Sequence, residues 1–520
     1  MDSSDWNGEV VRKSIGVRLE RRTMFVEETF DVARELQAEF GERAVYLLES
    51  LGGPDRDRER AIIGIGPLVT TEVLDSRIEI TGDTALRDAL WGTLREAVPG
   101  LTRQQEQAGG GAVLDEPNRL WDVLREITGC FDAPQTSDAR PDFGFLTVLS
   151  YDAVQYVETL PRSIPRDRAR VPDLALTLYA SILEVDLRTG AGTLTTAHSD
   201  LWQAVDPDRV AAAVERAAAR AGAAPGAAAA PETGPRFPHP PSTDAEASPE
   251  VLRDDYLGWV DIALEHIRDG DVYQVQLGYD VTLDSELQPW EIYARMRRTN
   301  PSPFMGMLPL RDTTLLSASP ELHVLLHGGG ATMRPIAGTS RRTGDESADE
   351  AAVHYLRTAE KEHAEHIMLV DLCRNDLGRV AVPGSVRTPV MMAVEPYSHV
   401  FHLVSTVTAT VEPGFDVFDV IRATFPAGTM TGAPKVRAME VIESLESSPR
   451  GLYAGVFGVI GIGGYANLAL TIRSVFCSGN TVSSRASAGI VADSVPRSEW
   501  DETRAKLSAA VEATTGGVLA

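Results

Sequence analysis

The sequence predicts an α/β protein in which antiparallel strands form the sheets and helices lie around them. Its 520 residues are 43% hydrophobic and 24% charged, which is the composition of a globular protein. Helical and strand-like patterns alternate strongly in the second half of the chain, and several strand patterns follow one another with only a turn between them. This order favours antiparallel sheets over a regular βαβ series.

The first predicted unit spans residues 15–200 and mixes strands with short helices. An apolar run at its centre, AVYLLES, is typical of a buried strand, and a polar turn leads from it to a second strand, AIIGIG. Strands are predicted at 44–50, 61–66, 144–152 and 174–187, with short helices between them, such as 120–127.

Residues 201–249 are predicted to connect two units. Their first part is rich in alanine and suits a surface helix. From about Gly222 the segment is mostly Ala, Pro and Gly, with almost no large apolar residue. Such a segment cannot bury enough surface to offset its ordering entropy, so it is interpreted as a flexible connector.

The second predicted unit, residues 250–515, carries most of the regular structure. Its first helix is predicted over 248–270, with Ser248 as the cap, Pro249 in the first turn and Gly270 as the stop. Further helices are predicted at 290–298, 360–378, 417–424, 433–446 and 497–514. Strands are predicted at 271–283, 313–319, 321–327, 385–394, 399–411, 453–463, 468–476 and 483–493.

The charge balance excludes several classes of partner. Lys plus Arg number 49 and Asp plus Glu number 75, so the net charge is −26 and phosphate-rich partners are repelled. No nucleic acid or membrane partner is expected, and no apolar stretch has the length of a membrane span or a signal peptide. The three cysteines are far apart in sequence, which favours a cytoplasmic protein without a disulfide framework.

Two pairs of glutamates are the first candidate functional residues. Glu362 and Glu365 are three residues apart on one predicted helix, and Glu499 and Glu502 are three apart on another. This spacing puts each pair on one helical face. Four converging carboxylates would repel one another unless a hard dication such as Mg²⁺ lay between them. The alternative is that both pairs are solvated helix faces of an acidic protein.

A series of longer motifs decides between these alternatives. They occur in the order SASPELHV, RPIAGTSRR, EKEHAEHIMLVDLCRNDLGRV, EPYSHVFHLVSTV, FPAGTMTGAPKVRAMEVIE, LALTIRS and AGIVADSVPRSEWDET. Together they resemble the chorismate-utilising enzymes, most of all the large subunit (component I) of anthranilate synthase. The resemblance implies that family's fold: one compact α/β body of two subdomains, with antiparallel sheets face to face and helices outside.

The resemblance also implies a metal-dependent reaction on chorismate. Glu365 and Glu502 match the residues that bind Mg²⁺ directly, and Glu362 and Glu499 match the outer pair that holds metal-bound water. The metal would clamp the ring carboxylate of chorismate, which is a dicarboxylate.

Local positive charge is expected to bind this dianion in spite of the net charge. Lys506 matches the lysine that contacts the ring carboxylate, and Arg473 matches the arginine that binds the enolpyruvyl carboxylate with two oxygens at once. Gly489 would offer a backbone N–H to a carboxylate. Without the resemblance, Lys506 and Arg473 would each be interpreted as a surface or interface charge.

Four further residues receive roles from the resemblance. Glu321 matches the general acid that protonates the departing 4-hydroxyl, and its pKa should be raised by burial near other carboxylates. His399 matches the histidine linked to the later elimination of pyruvate. Thr339 and Thr429 match threonines that contact the substrate, and turn hydrogen bonding is the alternative role.

Two positions distinguish branches of the family. Gln274 stands where isochorismate and salicylate synthases carry a lysine that activates water, so ammonia is the expected nucleophile. Ala337 stands where folate-pathway aminodeoxychorismate synthases carry a nucleophilic lysine, so attack should occur directly at C2. The expected first product is 2-amino-2-deoxyisochorismate, also called 2-amino-4-deoxychorismate.

The sequence departs from the usual anthranilate synthase pattern at several positions. Val459 replaces a tyrosine, Asn467 and Leu468 replace Asp-Thr, and Ser487 replaces a glycine. If these residues surround the pocket, they would slow pyruvate elimination and release the amino intermediate, as enzymes of this family that feed antibiotic pathways do. The main alternative is a full anthranilate synthase component I. An isochorismate or salicylate synthase and an inactive regulatory paralogue are less favoured.

The resemblance implies two kinds of partner besides chorismate. No Gly-x-Cys-x-Gly element surrounds any cysteine, so ammonia from glutamine should come from a separate glutaminase subunit or protein. Leu47, Glu49 and Ser50 match the start of a tryptophan-type effector pocket whose other wall would be residues 303–305. The alternative is that they form an ordinary core strand. An oligomer is compatible with the sequence.

Overall fold

The computed structural model describes residues 14–54, 59–98, 101–104, 111–134, 143–166, 171–203, 205–223, 248–249 and 253–516. The predicted flexible part of the connector lies largely outside these residues. The Ala-rich part before it forms a helix, as predicted, and one face of this helix is buried at Val210 and Val214.

Helices and strands alternate along the chain. The helices are α1 (Thr29–Phe40), α2 (Thr84–Ala97), α3 (Leu120–Gly129), α4 (Pro207–Ala223), α5 (Arg253–Arg268), α6 (Pro289–Thr299), α7 (Glu346–Thr358), α8 (Glu360–Gly378), α9 (Val417–Thr424), α10 (Gly428–Thr431), α11 (Lys435–Leu445) and α12 (Pro496–Thr515). The strands are β1 (Ile15–Gly16), β2 (Arg18–Phe25), β3 (Val45–Glu49), β4 (Arg60–Leu74), β5 (Arg77–Gly82), β6 (Thr102–Gln104), β7 (Gly111–Val113), β8 (Phe131–Asp132), β9 (Gly144–Leu149), β10 (Leu174–Asp186), β11 (Ala191–His198), β12 (Ser248–Pro249), β13 (Gln274–Asp284), β14 (Phe304–Leu310), β15 (Thr313–Ser319), β16 (Leu322–His327), β17 (Gly330–Met333), β18 (Ile336–Arg341), β19 (Arg387–Pro396), β20 (Val400–Thr410), β21 (Gly432–Ala433), β22 (Val456–Gly461), β23 (Ala466–Leu470), β24 (Ser474–Ser478) and β25 (Thr481–Ile490).

Two antiparallel sheets share the long strands β4 and β10, which pair along their whole length. One half of this pair is flanked by β5 and β9, and the other half by β3 and β11. The first sheet continues from β3 in the order β14, β15, β24, β25 and β13. The second sheet continues from β9 in the order β22, β23, β16, β17 and β20. The predicted antiparallel arrangement is therefore confirmed.

The two sheets pack face to face over an apolar layer, and helices cover their outer faces. Tyr46 and Tyr179 lie in this layer with ring centroids 4.7 Å apart, together with Leu315 of the first sheet and Phe457 of the second. Helices α1, α4 and α6 pack on the first sheet, and α2, α3, α8 and α9 on the second. Helices α5, α11 and α12 cover β13 and β25. The predicted α/β fold with facing sheets and outer helices is confirmed.

Strands from both predicted units alternate within the sheets. Strand β3 pairs with β14 through Leu47 and Met307, and β9 pairs with β22 through Leu149 and Val456. Each of these pairs joins a strand that precedes residues 201–249 to one that follows them. The two units are thus continuous through shared hydrogen-bonded sheets, and the predicted domain boundaries stay a prediction.

Two predicted elements have different boundaries in the structure. Ser248 and Pro249 form β12 against β13, and α5 begins only at Arg253, so the predicted helix cap is wrong. The single strand predicted at 468–476 is two strands, because the chain leaves the second sheet after β23 and enters the first as β24. Arg473 makes this crossing with a φ of 51°. An apolar run does not reveal the crossing, since both of its halves are buried.

A buried ion cluster joins the helical layer to β13 and β25. The Glu446 carboxylate accepts hydrogen bonds from Arg450 at 2.8 and 3.0 Å and from Arg485 at 2.6 Å, and all three side chains are buried. Arg450 also donates to the carbonyl oxygens of Met430 and Gln276, at 2.7 and 2.8 Å. Charged groups are stable in a protein interior only when they are paired and hydrogen-bonded in this way.

The three cysteines, Cys130, Cys373 and Cys477, are buried and unpaired with one another. None of the helices in the described ranges combines the length and the apolar character that crossing a bilayer requires.

Candidate active site

The two predicted carboxylate pairs lie at the N-terminal ends of two helices and are close to one another. Glu362 and Glu365 are in the first two turns of α8, and Glu499 and Glu502 are in the first two turns of α12, where a helix favours negative charge. Burial and the charges of the other three glutamates raise the pKa of Glu365 to about 7, against the opposing charge of Lys361. The four glutamates are therefore near enough for their charges to act on one another.

Two lysines lie among these glutamates. Lys361 Nζ is 3.8 Å from Glu365 Oε1, and Lys506 Nζ is 2.7 Å from Glu502 Oε1. Within the part of the chain that the structure describes, no group of three or more His, Cys, Asp or Glu side chains is gathered closely enough to hold a metal ion. The magnesium site stays a prediction, and it would require these side chains to move closer together.

The chemistry of the cluster fits a hard divalent cation. Carboxylate oxygens are the ligands that Mg²⁺ prefers. The pKa of Glu499 is raised by burial and by Glu502, as that of Glu365 is raised by burial and its neighbours, although two lysines lie nearby. A cation bound among these side chains would stabilise their ionised forms.

The positively charged side of the site is built from α12, β25 and the crossing between the sheets. Lys506 Nζ donates a hydrogen bond to the carbonyl oxygen of Ser487 at 2.9 Å, which fixes the ammonium group beside β25. Arg473 Nη1 lies 3.4 Å from the carbonyl oxygen of Lys506, to which it donates. Both predicted carboxylate-binding cations therefore occupy one wall.

Gly489 turns its backbone N–H toward the same side. It lies opposite Gln276 of β13, whose carbonyl oxygen accepts from Arg450 and so points away from β25. In an antiparallel ladder the two residues of such a pair both direct their backbone groups outward. The N–H of Gly489 thus points away from β13, in the same direction as the Ser487 carbonyl that binds Lys506.

Two glutamine side chains of β13 lie against Gly489. A Cβ at position 489 would stand 2.6 Å from Gln274 Nε2 and 2.9 Å from Gln276 Nε2, so a larger residue would displace them. Ser487 Oγ donates to Gln276 Oε1 at 2.9 Å. Gln276 was not among the predicted site residues, although the two-residue period of a strand places it on the same face as the predicted Gln274.

His402 faces the pocket, and its environment keeps it neutral. Its Nδ1 is 3.1 Å from Thr339 Oγ1. Burial and the charges of Arg473 and Lys506 lower the pKa of His402 to about 4, against the opposing effect of its hydrogen bond with the Gly338 backbone. His402 therefore lies close to the predicted substrate-contacting Thr339 and to the two cations, Arg473 and Lys506.

The structure places His402, and not His399, beside the other candidate residues, and the role of His399 stays a prediction. His399 is exposed in the turn before β20, and its Nε2 lies 2.8 Å from the carbonyl oxygen of Thr299. His402, three residues later, pairs with Thr339 across β18 and β20. The motif YSHVFHLVS contains both histidines, and only the strand register decides which one reaches the site.

Gly338 lets β18 approach α8. It has a φ of +64°, and a Cβ there would stand 3.0 Å from Glu362 Oε2. The sequence analysis did not single out this residue, although the PIAGT motif contains it. A side chain at this position would push Glu362 away from its neighbours.

Glu321, the predicted general acid, lies buried at the corner between β15 and β16. Burial raises its pKa to about 8, against the opposing effects of the Thr429 side chain and the Ile336 backbone N–H. The Thr429 side chain thus lies next to the Glu321 carboxyl group. Glu321 is therefore protonated at neutral pH as predicted, but the cause is burial and not the neighbouring carboxylates that were expected.

Three residues predicted to shape the substrate pocket lie elsewhere. Val459 and Asn467 pair across β22 and β23 and line a separate cavity of about 470 Å³ between the two sheets. Leu468 faces the opposite way and is fully buried in the core beneath the helices. The argument that these substitutions loosen the enolpyruvyl group is therefore wrong, because neighbouring strand residues point to opposite faces of a sheet.

The inter-sheet cavity also includes part of the predicted effector pocket. Leu48, Glu49 and Ser50 line it, together with residues 303–305. Leu47 instead packs in the core under the helices, and the Glu49 carboxylate is bound by Arg297 at 2.9 and 3.1 Å. Leu47 is thus wrong as a pocket residue, and binding of an effector stays a prediction.

Comparisons with known proteins agree with this site. The family described as chorismate binding enzyme matches residues 102–512. The chain is 43% identical to 2-amino-4-deoxychorismate synthase of Streptomyces globisporus over 511 residues, which are 97% of this chain and 98% of the relative. It is 37% identical to anthranilate synthase component 1 of Mycobacterium tuberculosis (strain ATCC 25618 / H37Rv) over 76% of this chain and 78% of the relative.

A solved structure extends the similarity to the fold. Anthranilate synthase component I from Streptococcus pneumoniae TIGR4 superimposes with a TM-score of 0.67 at 26% identity, over 87% of this chain and 92% of that one. The family match covers most of the chain and includes every candidate site residue from Gln274 to Lys506. The chain therefore belongs to the chorismate binding enzyme family.

Proposed function

We propose that this enzyme aminates chorismate at C2 with ammonia and releases 2-amino-2-deoxyisochorismate. The observation that carries the proposal is the similarity over almost the whole chain to a 2-amino-4-deoxychorismate synthase, which is another name for an enzyme with this product. The geometry of the site supports it, since the acid Glu321 is buried with a raised pKa, and two fixed cations and an outward-facing N–H share one wall.

The cations and the N–H suit the two carboxylates of chorismate. The ammonium group of Lys506, which extends from α12, and the backbone N–H of Gly489 lie along the same edge of β25. Both would bind the ring carboxylate. Arg473, one step further along this wall, would bind the enolpyruvyl carboxylate through its planar guanidinium. The His402–Thr339 pair completes the wall with neutral hydrogen-bonding groups.

The chemistry requires one acid and one nucleophile. The lone pair of ammonia forms the C2–N bond, the two ring double bonds each move by one position, and the C4–O bond breaks. Glu321 gives its proton to the leaving hydroxyl, which departs as water. The ammonium group first formed on C2 then loses a proton, which restores the acid.

Magnesium is the proposed cofactor. Glu365 and Glu502 would hold it directly, and Glu362 and Glu499 would hold its water. When bound, Mg²⁺ supplies a positive charge for the ring carboxylate and so draws electron density away from the ring.

Three further assignments belong to the proposal. Ammonia would come from glutamine through a separate glutaminase subunit or protein, the enzyme would work in the cytoplasm, and its product would enter an antibiotic pathway. The family resemblance supports the first and the third of these, and the composition supports the second.

Anthranilate synthase component I is the second candidate. The pocket retains His402 beside Arg473 and Lys506, and several relatives with that name match about three quarters of the chain. An isochorismate synthase is less well supported because Gln274 cannot act as a base toward water. An inactive paralogue is less well supported because all four glutamates are present.

The first prediction concerns the product. With chorismate, Mg²⁺ and ammonium, mass spectrometry should detect the amino intermediate as the main product, and little anthranilate fluorescence should develop. The reaction stops at the amino intermediate if the pocket does not promote loss of pyruvate. Equal amounts of pyruvate and anthranilate from the first time point would instead establish the second candidate.

The second prediction concerns pH. Because Glu321 acts as an acid and has a pKa of about 8, kcat/KM for chorismate should be constant below pH 8 and fall about tenfold per unit above it. The concentration of free ammonia must be held constant. Glu321→Gln should lower the rate by about a hundredfold and remove this fall, whereas the exposed Glu350→Gln should retain it. An unchanged alkaline limb in Glu321→Gln contradicts the assignment.

The third prediction separates the two histidines. His402→Asn should lower kcat/KM for chorismate at least about tenfold, because the hydrogen bond to Thr339 and the wall beside Arg473 are disturbed. His399→Asn, on the exposed turn, should remain within about twofold of the wild type. The same loss in both variants, or a loss only in His399→Asn, would restore the original assignment.

The fourth prediction concerns the metal. Glu365→Gln and Glu502→Gln should each abolish turnover and weaken Mg²⁺ binding in calorimetry, because the site loses a charged ligand. Glu512→Gln, an exposed glutamate of the same helix α12, should bind Mg²⁺ as the wild type does. Full activity in the presence of a chelator would exclude the metal site.

A further inference from the structure

We infer that Ser487 determines which product leaves the enzyme. It binds the only hydroxyl hydrogen of Tyr453 and so withholds a hydrogen-bond donor from the enolpyruvyl group of the amino intermediate. This inference rests on the proposed amination and names the residue that ends the reaction at that step. Tyr453 has no part in the mechanism described above.

The observation behind the inference is a chain of hydrogen bonds whose direction is fixed. The Tyr453 hydroxyl lies 2.7 Å from Ser487 Oγ, and both side chains are buried. Ser487 Oγ donates to Gln276 Oε1 at 2.9 Å. An amide oxygen can only accept a hydrogen bond, and a serine hydroxyl has one hydrogen to give. The hydrogen of Ser487 is therefore used on Gln276, and Tyr453 donates to Ser487.

Gln276 is held so that its amide oxygen faces Ser487. Its Nε2 lies on the side of Gly489, where a Cβ would stand 2.9 Å from it. Its backbone carbonyl accepts from Arg450 at 2.8 Å, and Arg450 is fixed in turn by the buried Glu446 carboxylate. The acceptor at the end of the hydrogen-bond chain therefore belongs to the most firmly held part of the site.

Tyr453 lies beside the guanidinium that would bind the enolpyruvyl carboxylate. The backbone N–H of Ala454 donates to the carbonyl oxygen of Thr471 at 3.0 Å, just before the crossing that carries Arg473. Burial lowers the pKa of Arg473, and the nearby Tyr453 hydroxyl opposes this electrostatically. Burial also raises the pKa of Tyr453, so its hydroxyl keeps its hydrogen at neutral pH. That hydrogen points to Ser487 and is not available to the substrate.

Loss of pyruvate is the step that needs such a donor. A proton leaves C2, the electron pair of the C2–H bond completes the aromatic ring, and the C3–O bond breaks. The electron pair of that bond leaves with the enolpyruvyl oxygen, and the departing enolate takes up one proton to become pyruvate. A donor aimed at the charge that develops on this group lowers the barrier. A tyrosine hydroxyl that already donates to Ser487 cannot supply it.

The test measures the ratio of anthranilate to amino intermediate formed by the full chain with chorismate, Mg²⁺ and ammonium chloride. Ser487→Ala removes the acceptor of the Tyr453 hydrogen and keeps the Cβ, so this ratio should rise at least about tenfold. Ser487→Thr retains a hydroxyl and should keep the ratio of the wild type. Ser483→Ala makes the same change on the same strand, outside this hydrogen-bond chain, and should also keep it.

A double variant shows whether the freed tyrosine hydrogen is the cause. Adding Tyr453→Phe to Ser487→Ala should return the ratio to within about twofold of the wild type. Tyr453→Phe alone should not raise the ratio, because its hydroxyl is already committed to Ser487 in the wild type. A pocket that is merely loosened by Ser487→Ala would keep its raised ratio in the double variant.

The outcomes separate this inference from the proposed function. If the wild type releases the amino intermediate but Ser487→Ala keeps its ratio, or the double variant keeps a raised ratio, the role of Ser487 is refuted and the amination stands. If the wild type forms anthranilate and pyruvate from the start, or no amino product, both are refuted. Ser487→Gly serves as a second variant without a hydroxyl, and the same rise is expected.

Discussion

The buried Glu446 carboxylate is the interaction on which the catalytic half of the molecule depends. Arg450 and Arg485 neutralise it, and Arg450 then uses its remaining donors on the carbonyl oxygens of Met430 and Gln276. Removing one member of such a cluster leaves an uncompensated buried charge, which costs about 3–5 kcal/mol. Because Met430 adjoins Thr429 and Gln276 adjoins Gly489, the same cluster sets the distance between the acid side and the carboxylate side of the pocket.

The electrostatics of the site explain how a protein with a net charge of −26 can bind a dianion. Two cations are fixed by hydrogen bonds on one wall, and the glutamates gather at the N-terminal turns of α8 and α12. Burial keeps Glu321 and His402 neutral, so neither adds a charge to the pocket at pH 7. The pocket therefore separates its charges by position, and the net charge of the surface has little influence on it.

The structure also separates the catalytic candidates from a cavity between the sheets whose lining residues had been expected beside them. The catalytic candidates lie around β13, β25, α8 and α12, whereas Val459, Asn467 and Ser50 line the space between the sheets. Substitutions in the second group cannot act on the substrate by direct contact. The proposed release of the amino intermediate would therefore depend on other residues, and Ser487, which binds Gln276 beside Gly489, is a departure from the family pattern that does lie at the site.

The sequence by itself determined the family, the α/β class, most helices and strands and eleven of the residues now placed at the site, because long motifs and hydrophobic periodicity are local properties. It did not indicate the surroundings of His399, Val459, Asn467, Leu468 and Leu47, because the direction of a strand side chain depends on register and on which sheet the strand joins. Only the tertiary structure decided that the chain crosses between sheets at Arg473, that His402 faces Thr339, and that burial alone protonates Glu321. Each of these depends on contacts between segments far apart in sequence, which no local pattern records.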